Sequence, residues 1–463
     1  MAGKRVTNPA GSSNDLRGDV LRVLGVLKVA TADQIQRIAS PHLTYRHTTK
    51  PTASEQKTAR TASHAGALSD LRKHGLAENG GTSRAGESLR NLTTKGLEAA
   101  SYELGRPLTE MGSTARGAGS SGATHPMAVN ETVIAMLRPK PDLRLLTNEP
   151  AEAKLAAQAA VDSPRGIGTI ASYATEVPLP ATGTWGAPGK GGAQADIVLT
   201  AAQAGIPLLF IEVDNCHETA EEIAAKLAKY HRFFKRQIKD TDGKDKPMWR
   251  TRWLAYADEG ETPHPPVLFV FNHIGARDPN RTIPRLQELT RPLWAGQMTT
   301  GGYHSYDRKI PIVATGLRNL REHGPNGPVF LRFGRTQMQP LRDAIGNPRR
   351  DAAIAREREE MKVRQEEYQE QLRRATEQKR AEREARRPVC AGCATKLDDD
   401  RWKAATDYPK PAPRWHPTLC RPCEQKTVAA ADQAERDRLE AEAAETAEKA
   451  RGWRSRFRPG QAP

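Results

Sequence analysis

The sequence predicts an α/β core domain with a mixed sheet, preceded by a winged helix-turn-helix and followed by a helical, zinc-ribbon-like arm. Three observations carry this reading. Helical apolar spacing gives way to a glycine-rich hairpin before residue 111. Strand-like apolar runs then alternate with helix-like runs as far as residue 345. Beyond that point a highly charged stretch without glycine or proline leads to two CxxC pairs.

Residues 1–14 read as a flexible arm. From Asp15 to Val29, the residues Leu16, Val20, Val23, Leu24 and Leu27 recur at helical spacing. In TADQIQRIA, Thr31 and Gln34 form a capping box that starts a second helix. Residues 40–59 are polar and show no period, and a third helix is predicted from Arg60 to His74, with Ala67, Leu68 and Leu71 inward and Gly75 at its end. LAENGGTSRAGESLRNLTTKG then reads as two short strands about a turn, with a helix from Leu97. Three helices followed by a hairpin suggest a winged helix-turn-helix over residues 15–111, its third helix in the major groove and its hairpin on the backbone. Arg60, His64, Arg72, Lys73, Arg84 and Arg90 are its candidate phosphate contacts. A helical protein-interaction module with ordinary surface arginines gives the same pattern.

GSTARGAGSSG, residues 112–122, reads as a linker. After it, HPMAVNETVIAMLRP is a helix, and Ser172–Val177, ADIVLT, PLLFIEVD, VLFVFN and IPIVATG are strands of an α/β domain over residues 123–345. Residues 346–388 form a long charged helix. From Asp351 to Arg387 ten acids and eleven bases alternate, which predicts a solvated helix held by i,i+4 ion pairs. Residues 389–424 carry the cysteines, and residues 425–463 give a second charged helix and a basic tail.

Lysine and arginine total 71 against 55 acids, a formal charge of +16, which favours a polyanion partner. Ribosomal or membrane-surface binding would carry the same sign. The low aromatic content, 5%, fits a chain that is part solvated helix and linker. No apolar run is long enough for a membrane span, and MAGKRVTNPAGSSND lacks the apolar core of a secretory signal. Paired rather than scattered cysteines suit a reducing compartment, so a cytoplasmic location is expected.

The stretch FIEVDNCHETAEEIAAKLAKYHRFF places Glu212 and Asp214 two apart on a strand, hence on one face. If the preceding strand pairs antiparallel with it, Asp196 lies beside Glu212. Carboxylates so close call for a hard divalent cation, Mg²⁺ or Mn²⁺, which can activate water and stabilise charge at a phosphodiester. Glu222, Lys226 and Tyr230 follow at intervals of four on one helix face. The arrangement resembles the PD-(D/E)xK nuclease superfamily, although Ala195 stands in place of the proline and Asp214 in place of the lysine. The resemblance implies Asp196 and Glu212 as metal ligands, Asp214 as an assisting acid and Lys226, from the helix, as the group that stabilises developing charge. Glu131 is a further candidate acid. A nuclease-like fold without chemistry would show the same residues.

LTTKG, HPMAVN, the block ADIVL…FIEVDNCHETAEEIAAKLAKYHRFF, VLFVF and VATGL, in that order between Leu16 and Gly334, resemble the replication-relaxation family of plasmids and mobile elements, notably of actinobacteria. That resemblance implies a DNA-associated role in replication or relaxation.

CAGC, Cys390 to Cys393, and CRPC, Cys420 to Cys423, can supply four thiolates to a structural zinc ion, with 26 residues between the pairs. Trp402, Trp415 and His416 lie in that interval. Such a unit, with its flanking helices, suits a protein partner or DNA. Two other readings of the whole chain stand beside that of a DNA-processing protein: a regulator that binds DNA without cutting it, and an assembly scaffold. The absence of an HxH motif argues against a covalent nicking relaxase.

Overall fold

The computed structural model describes residues 11–115, 123–186, 189, 191–253 and 262–455. Most of the expected N-terminal arm, residues 116–122 of the expected linker and residues 456–463 of the expected tail lie outside the described residues. The chain divides into two compact units, residues 1–354 and 355–463.

The first unit opens with α1 (Asn14–Leu27), β1 (Val29–Thr31), α2 (Ala32–Ala39), α3 (Ala53–Lys73), β2 (Ala77–Thr82), β3 (Ser88–Leu92) and α4 (Thr94–Leu104). The Thr31–Gln34 capping box starts α2 as expected. The third helix begins earlier than predicted, at Ala53 rather than Arg60. Thr52 and Glu55 form a second capping box there, which holds the first turn without any apolar residue. The two hairpin strands pair antiparallel and β1 adds on the outer side of β3, giving the order β1-β3-β2.

Next come α5 (Thr124–Leu137), α6 (Ala151–Asp162), β4 (Tyr173–Leu179), β5 (Ala193–Ala201), β6 (Ile206–Asp214) and α7 (Ala220–Lys235). A small hairpin, β7 (Gln237–Lys239) and β8 (Asp245–Pro247), precedes β9 (Val267–Phe271). Helices α8 (Pro279–Leu289) and α9 (Arg291–Trp294) and the hairpin β10 (Gln297–Met298) and β11 (His304–Ser305) lead to β12 (Ile312–Gly316). The unit closes with α10 (Leu317–His323), β13 (Phe330–Arg332), β14 (Met338–Gln339) and α11 (Leu341–Ile345).

Seven strands form one mixed sheet in the order β14-β13-β12-β9-β6-β5-β4. The meander β4-β5-β6 is antiparallel, whereas β6, β9 and β12 run parallel. Strands buried on both faces read as unbroken apolar runs, which explains VLFVF and most of PLLFIEVD. On one face Ile197, Leu199, Leu209, Ile211, Leu268 and Val313 pack into the same apolar cluster as Val20, Leu24 and Leu71 of the N-terminal helices. On the other, Phe210, Val267, Phe269 and Ile312 pack with Leu227, Tyr230, Phe233 and Phe234 of α7. Polar contacts reinforce the shared core. Thr175 Oγ1 donates to the carbonyl of Val26 at 2.5 Å, and Asn130 Nδ2 donates to that of Val29 at 2.8 Å.

Helix α12 (Pro348–Ala385) opens on proline at its first position, where the missing N–H has no helical partner to lose. The second unit continues with α13 (Asp399–Asp407) and α14 (Arg421–Ser455), the last starting inside the CRPC pair. No described helix is long and apolar enough to cross a membrane.

Candidate functional site

The register of β5 and β6 builds the acidic site. Ile197 lies opposite Ile211 and Val198 opposite Phe210, so one step further sets Asp196 across from Glu212. The main-chain ladder ends there. The Val213 amide instead donates to Asp196 Oδ2 at 2.7 Å, so a side-chain carboxylate takes the place of the next carbonyl. The other oxygen, Oδ1, lies 3.0 Å from Nε2 of His125 in the first turn of α5. The Glu212 side chain is only 2% exposed, and Lys226 Nζ lies 3.0 Å from its Oε2. The Tyr230 hydroxyl donates to its Oε1. Both partners come from α7, one turn apart, and Lys226 also reaches Glu218 Oε1 at 3.1 Å.

Burial, and next the nearby Asp196 charge, push the Glu212 carboxyl up to about 7 against the pull of Lys226 and Tyr230. Burial alone would lower Lys226, but the Glu212 and Glu218 carboxylates outweigh it and hold the ammonium above its ordinary value. The hydrogen bond to Asp196 raises His125, with burial opposing.

Sequence reasoning did not find His125, nor a further carboxylate, Glu176. In β4 the register passes from Thr175–Ile197 to Val177–Ala195, so Glu176 lies opposite Asp196. It holds the left-handed conformation, φ 53°, unusual for a residue with a Cβ. Glu176, Asp196 and Glu212 thus form a row across three neighbouring strands. A lone glutamate in YATEVPL and a histidine in the first turn of a helix carry no spacing signal that ties them to Asp196.

Asp214 is placed differently from its neighbours: its Oδ1 accepts from the His217 amide at 3.2 Å, fixing the turn after β6. Glu222 caps α7, accepting from the amide and hydroxyl of Thr219. Glu131 pairs with Arg37 at 2.8 Å and Arg321 at 3.3 Å, between the N-terminal helices and α10.

Of the six candidate phosphate contacts, Arg72 and Arg84 are exposed and Lys73 is 70% exposed, 3.5 Å from Asp70. Arg60 is engaged by Asp33 at 2.6 Å. Arg90 donates to Asn79 Oδ1 and to the Leu89 carbonyl. His64 is a correction. It is 0% exposed, and burial pulls its imidazole down to about 4, so it offers neither reach nor charge to a phosphate.

In the second unit, Cys390, Cys393, Cys420 and Cys423 bring one sulfur each within 4.8 Å of one another. Among the described residues no other set of three or more such ligands is that close. Two backbone amides, of Cys420 at 3.2 Å and Gly392 at 3.3 Å, donate to Cys390 Sγ. These bonds favour the thiolate and draw its pKa down to about 6. Buried Arg401 braces the second knuckle by donating to Glu424 Oε2 at 2.7 Å and to the carbonyls of Leu419 and His416. Its guanidinium lies over Trp415, 4.1 Å from the ring centre. Four sulfurs at this spacing can hold a metal such as zinc in a closed tetrahedron. His416 is not among the clustered ligands.

No curated protein and no solved structure is significantly similar to the chain. Residues 21–245, which contain His125, Glu176, Asp196, Glu212, Lys226 and Tyr230, match the model of the replication-relaxation family.

Proposed function

We propose that the protein processes DNA in the replication, relaxation or transfer of a plasmid or other mobile element, and that it cuts a phosphodiester with the help of Mg²⁺ or Mn²⁺. In this reading, α1 to α3 and the β2–β3 hairpin are a winged helix-turn-helix that finds duplex DNA, with Arg72, Lys73 and Arg84 on phosphates. The α/β part is a PD-(D/E)xK-like core, and the C-terminal arm, folded on a structural zinc ion, docks a protein partner. The observation that carries the proposal is the placement of Asp196 across from Glu212 at the open end of the β5–β6 hairpin, with Lys226 against Glu212.

The donor set fits a hard cation. Asp196 and Glu212 would hold it, with water and phosphate oxygens completing the shell. A cation bound there supplies an activated water and charge stabilisation at the phosphorus. The chain's own residues do the rest. His125 and the Val213 amide fix the orientation of Asp196. Tyr230 fixes Glu212. Lys226, 30% exposed, can turn from Glu212 toward a phosphate oxygen and bear part of the developing charge.

A holding role without cleavage has one observation in its favour: both oxygens of Glu212 are already engaged, by Lys226 and Tyr230. Supercoiled plasmid separates the two. Nicking that needs Mn²⁺, stops with EDTA and disappears in Glu212→Gln identifies the enzyme. Intact plasmid with a salt-sensitive mobility shift identifies the holding protein.

A further inference from the structure

A second basic feature lies on the outer side of the β4–β5 pair. Arg106 follows α4, and Arg252 follows the turn after β8. Both line a cavity of about 370 Å³, together with Ser172, Thr200, Val177 and Val198. Arg106 Nη2 donates to the carbonyls of Ala171 at 2.8 Å and Tyr173 at 2.9 Å. Arg252 Nη2 donates to the Glu110 carbonyl at 3.3 Å, and its guanidinium lies 5.2 Å from the Trp185 ring centre and 5.5 Å from that of Trp253. Carbonyls and ring faces hold the two groups in place, and the Glu110 carboxylate offsets their charge only in part. Among the described residues neither arginine forms an ion pair. The carboxylate of Glu110, which is exposed, is the acid lining the same cavity.

Burial lowers both guanidinium groups against the pull of the Glu110 carboxylate, and Arg252 lowers Arg106 further by repulsion. Two half-buried like charges in one cavity, with hydroxyls beside them, match what a phosphate needs: a bidentate planar donor, a second cation and neutral donors around the rim. The cavity also lies along the strands that carry the acidic row. Val177 follows Glu176 directly, and Thr200 lies four residues beyond Asp196, about 13 Å at strand rise.

We propose that the Arg106–Arg252 cavity is a phosphate subsite. It takes one backbone phosphate of a DNA strand whose neighbouring nucleotides lie at the Asp196–Glu212 end of the hairpin. The subsite rests on the reading of that end as the place where DNA is processed.

The test measures the affinity of the full chain for a labelled single-stranded oligodeoxynucleotide across a salt series. Each lost phosphate contact lowers the slope of log K against log salt by about 0.7 for a single strand. Arg252→Gln is expected to show that loss and several-fold weaker binding, and Arg252→Lys to recover the slope. Glu110→Gln, a surface change that removes the competing carboxylate, is expected to tighten binding, which a damaged fold would not do. Inorganic phosphate should compete against wild type and lose its effect in Arg252→Gln. Unchanged slopes in Arg252→Gln together with unchanged affinity in Glu110→Gln overturn the subsite. A wild-type chain that never nicks plasmid but shows the slope change retains the subsite and loses only the cleavage reading.

Discussion

The cysteine cluster of the second unit and the acidic row of the first place chemical groups together by opposite means. Each CxxC pair closes over two intervening residues, so local chain geometry brings its sulfurs close, and the Cys420 amide on Cys390 Sγ then joins the two knuckles. The acidic row is assembled by register. Glu176, Asp196 and Glu212 come from three strands, His125 from a helix before them and Lys226 from a helix after them. A site made by local spacing should fail all at once when one member goes. A site made by packing should hold its fold through a local loss and respond by degrees to distant damage.

The largest expected effect tests the first half. Cys420→Ser removes one of the four sulfurs that can hold a metal such as zinc and, with zinc bound there, would remove most of a metal-coupled folding energy of roughly 10 kcal/mol. Limited proteolysis should then cut readily between residues 388 and 424 while the first unit stays protected. A chelator should reproduce this in the wild type. Equal protection with and without metal would mean that Arg401 and its partners fold the unit alone.

The second effect tests the other half. Glu212→Gln keeps the acceptor for Tyr230 and the size of the side chain, so the melting temperature should stay close to wild type. Metal-dependent nicking should fall at least about a hundred-fold, as expected when a ligand of an activating cation is lost. A variant that unfolds would show Glu212 to be a structural ion-pair member first.

How much was legible follows the same divide. The cysteines could be read from spacing alone. Asp196 and Glu212 could be read because strand alternation is short-range and the apolar runs around them are clear. His125 and Glu176 could not, because their meeting with Asp196 depends on which strands and helices neighbour one another. Asp214 shares the alternation of Glu212, yet the turn after β6 claims its carboxylate, a choice fixed by the backbone at His217. The start of α3 is not legible from apolar spacing, because Thr52 and Glu55 stabilise a polar first turn that has no apolar period. His64, expected as a phosphate contact, is buried instead. Its spacing to Ala67, Leu68 and Leu71 puts it on their buried face.

That misplacement yields the third prediction, on how acid softens the packed unit. His64 is buried and His264 half-buried, and desolvation draws both down to about 4. In the unfolded chain each takes up a proton near its ordinary value of 6.5, before the folded protein does. Stability is therefore full above pH 6.5 and is lost as pH falls toward 4, by about 2 to 3 kcal/mol for each histidine at full effect. His64→Leu should remove about half of that slope in urea melts of the first unit taken at pH 7, 6 and 5. An unchanged slope would place the acid sensitivity elsewhere.

The smallest effect reaches the acidic row from outside it. Thr219 caps α7 by accepting from the Glu222 amide, and Glu222 answers through the Thr219 amide and hydroxyl. Thr219→Ala breaks this box at a cost of about 1 kcal/mol. No ligand or charge in the row is touched. The first turn of α7 loosens, however, and Lys226 lies one turn beyond Glu222, against Glu212 and Glu218. Nicking should fall only a few-fold and should recover at lower temperature, where the turn re-forms, whereas Glu212→Gln should not recover at any temperature. If Thr219→Ala lowered nicking as far as Glu212→Gln does, the row would fail as a unit in the way the cysteine cluster is expected to, and the contrast between the two sites would be lost.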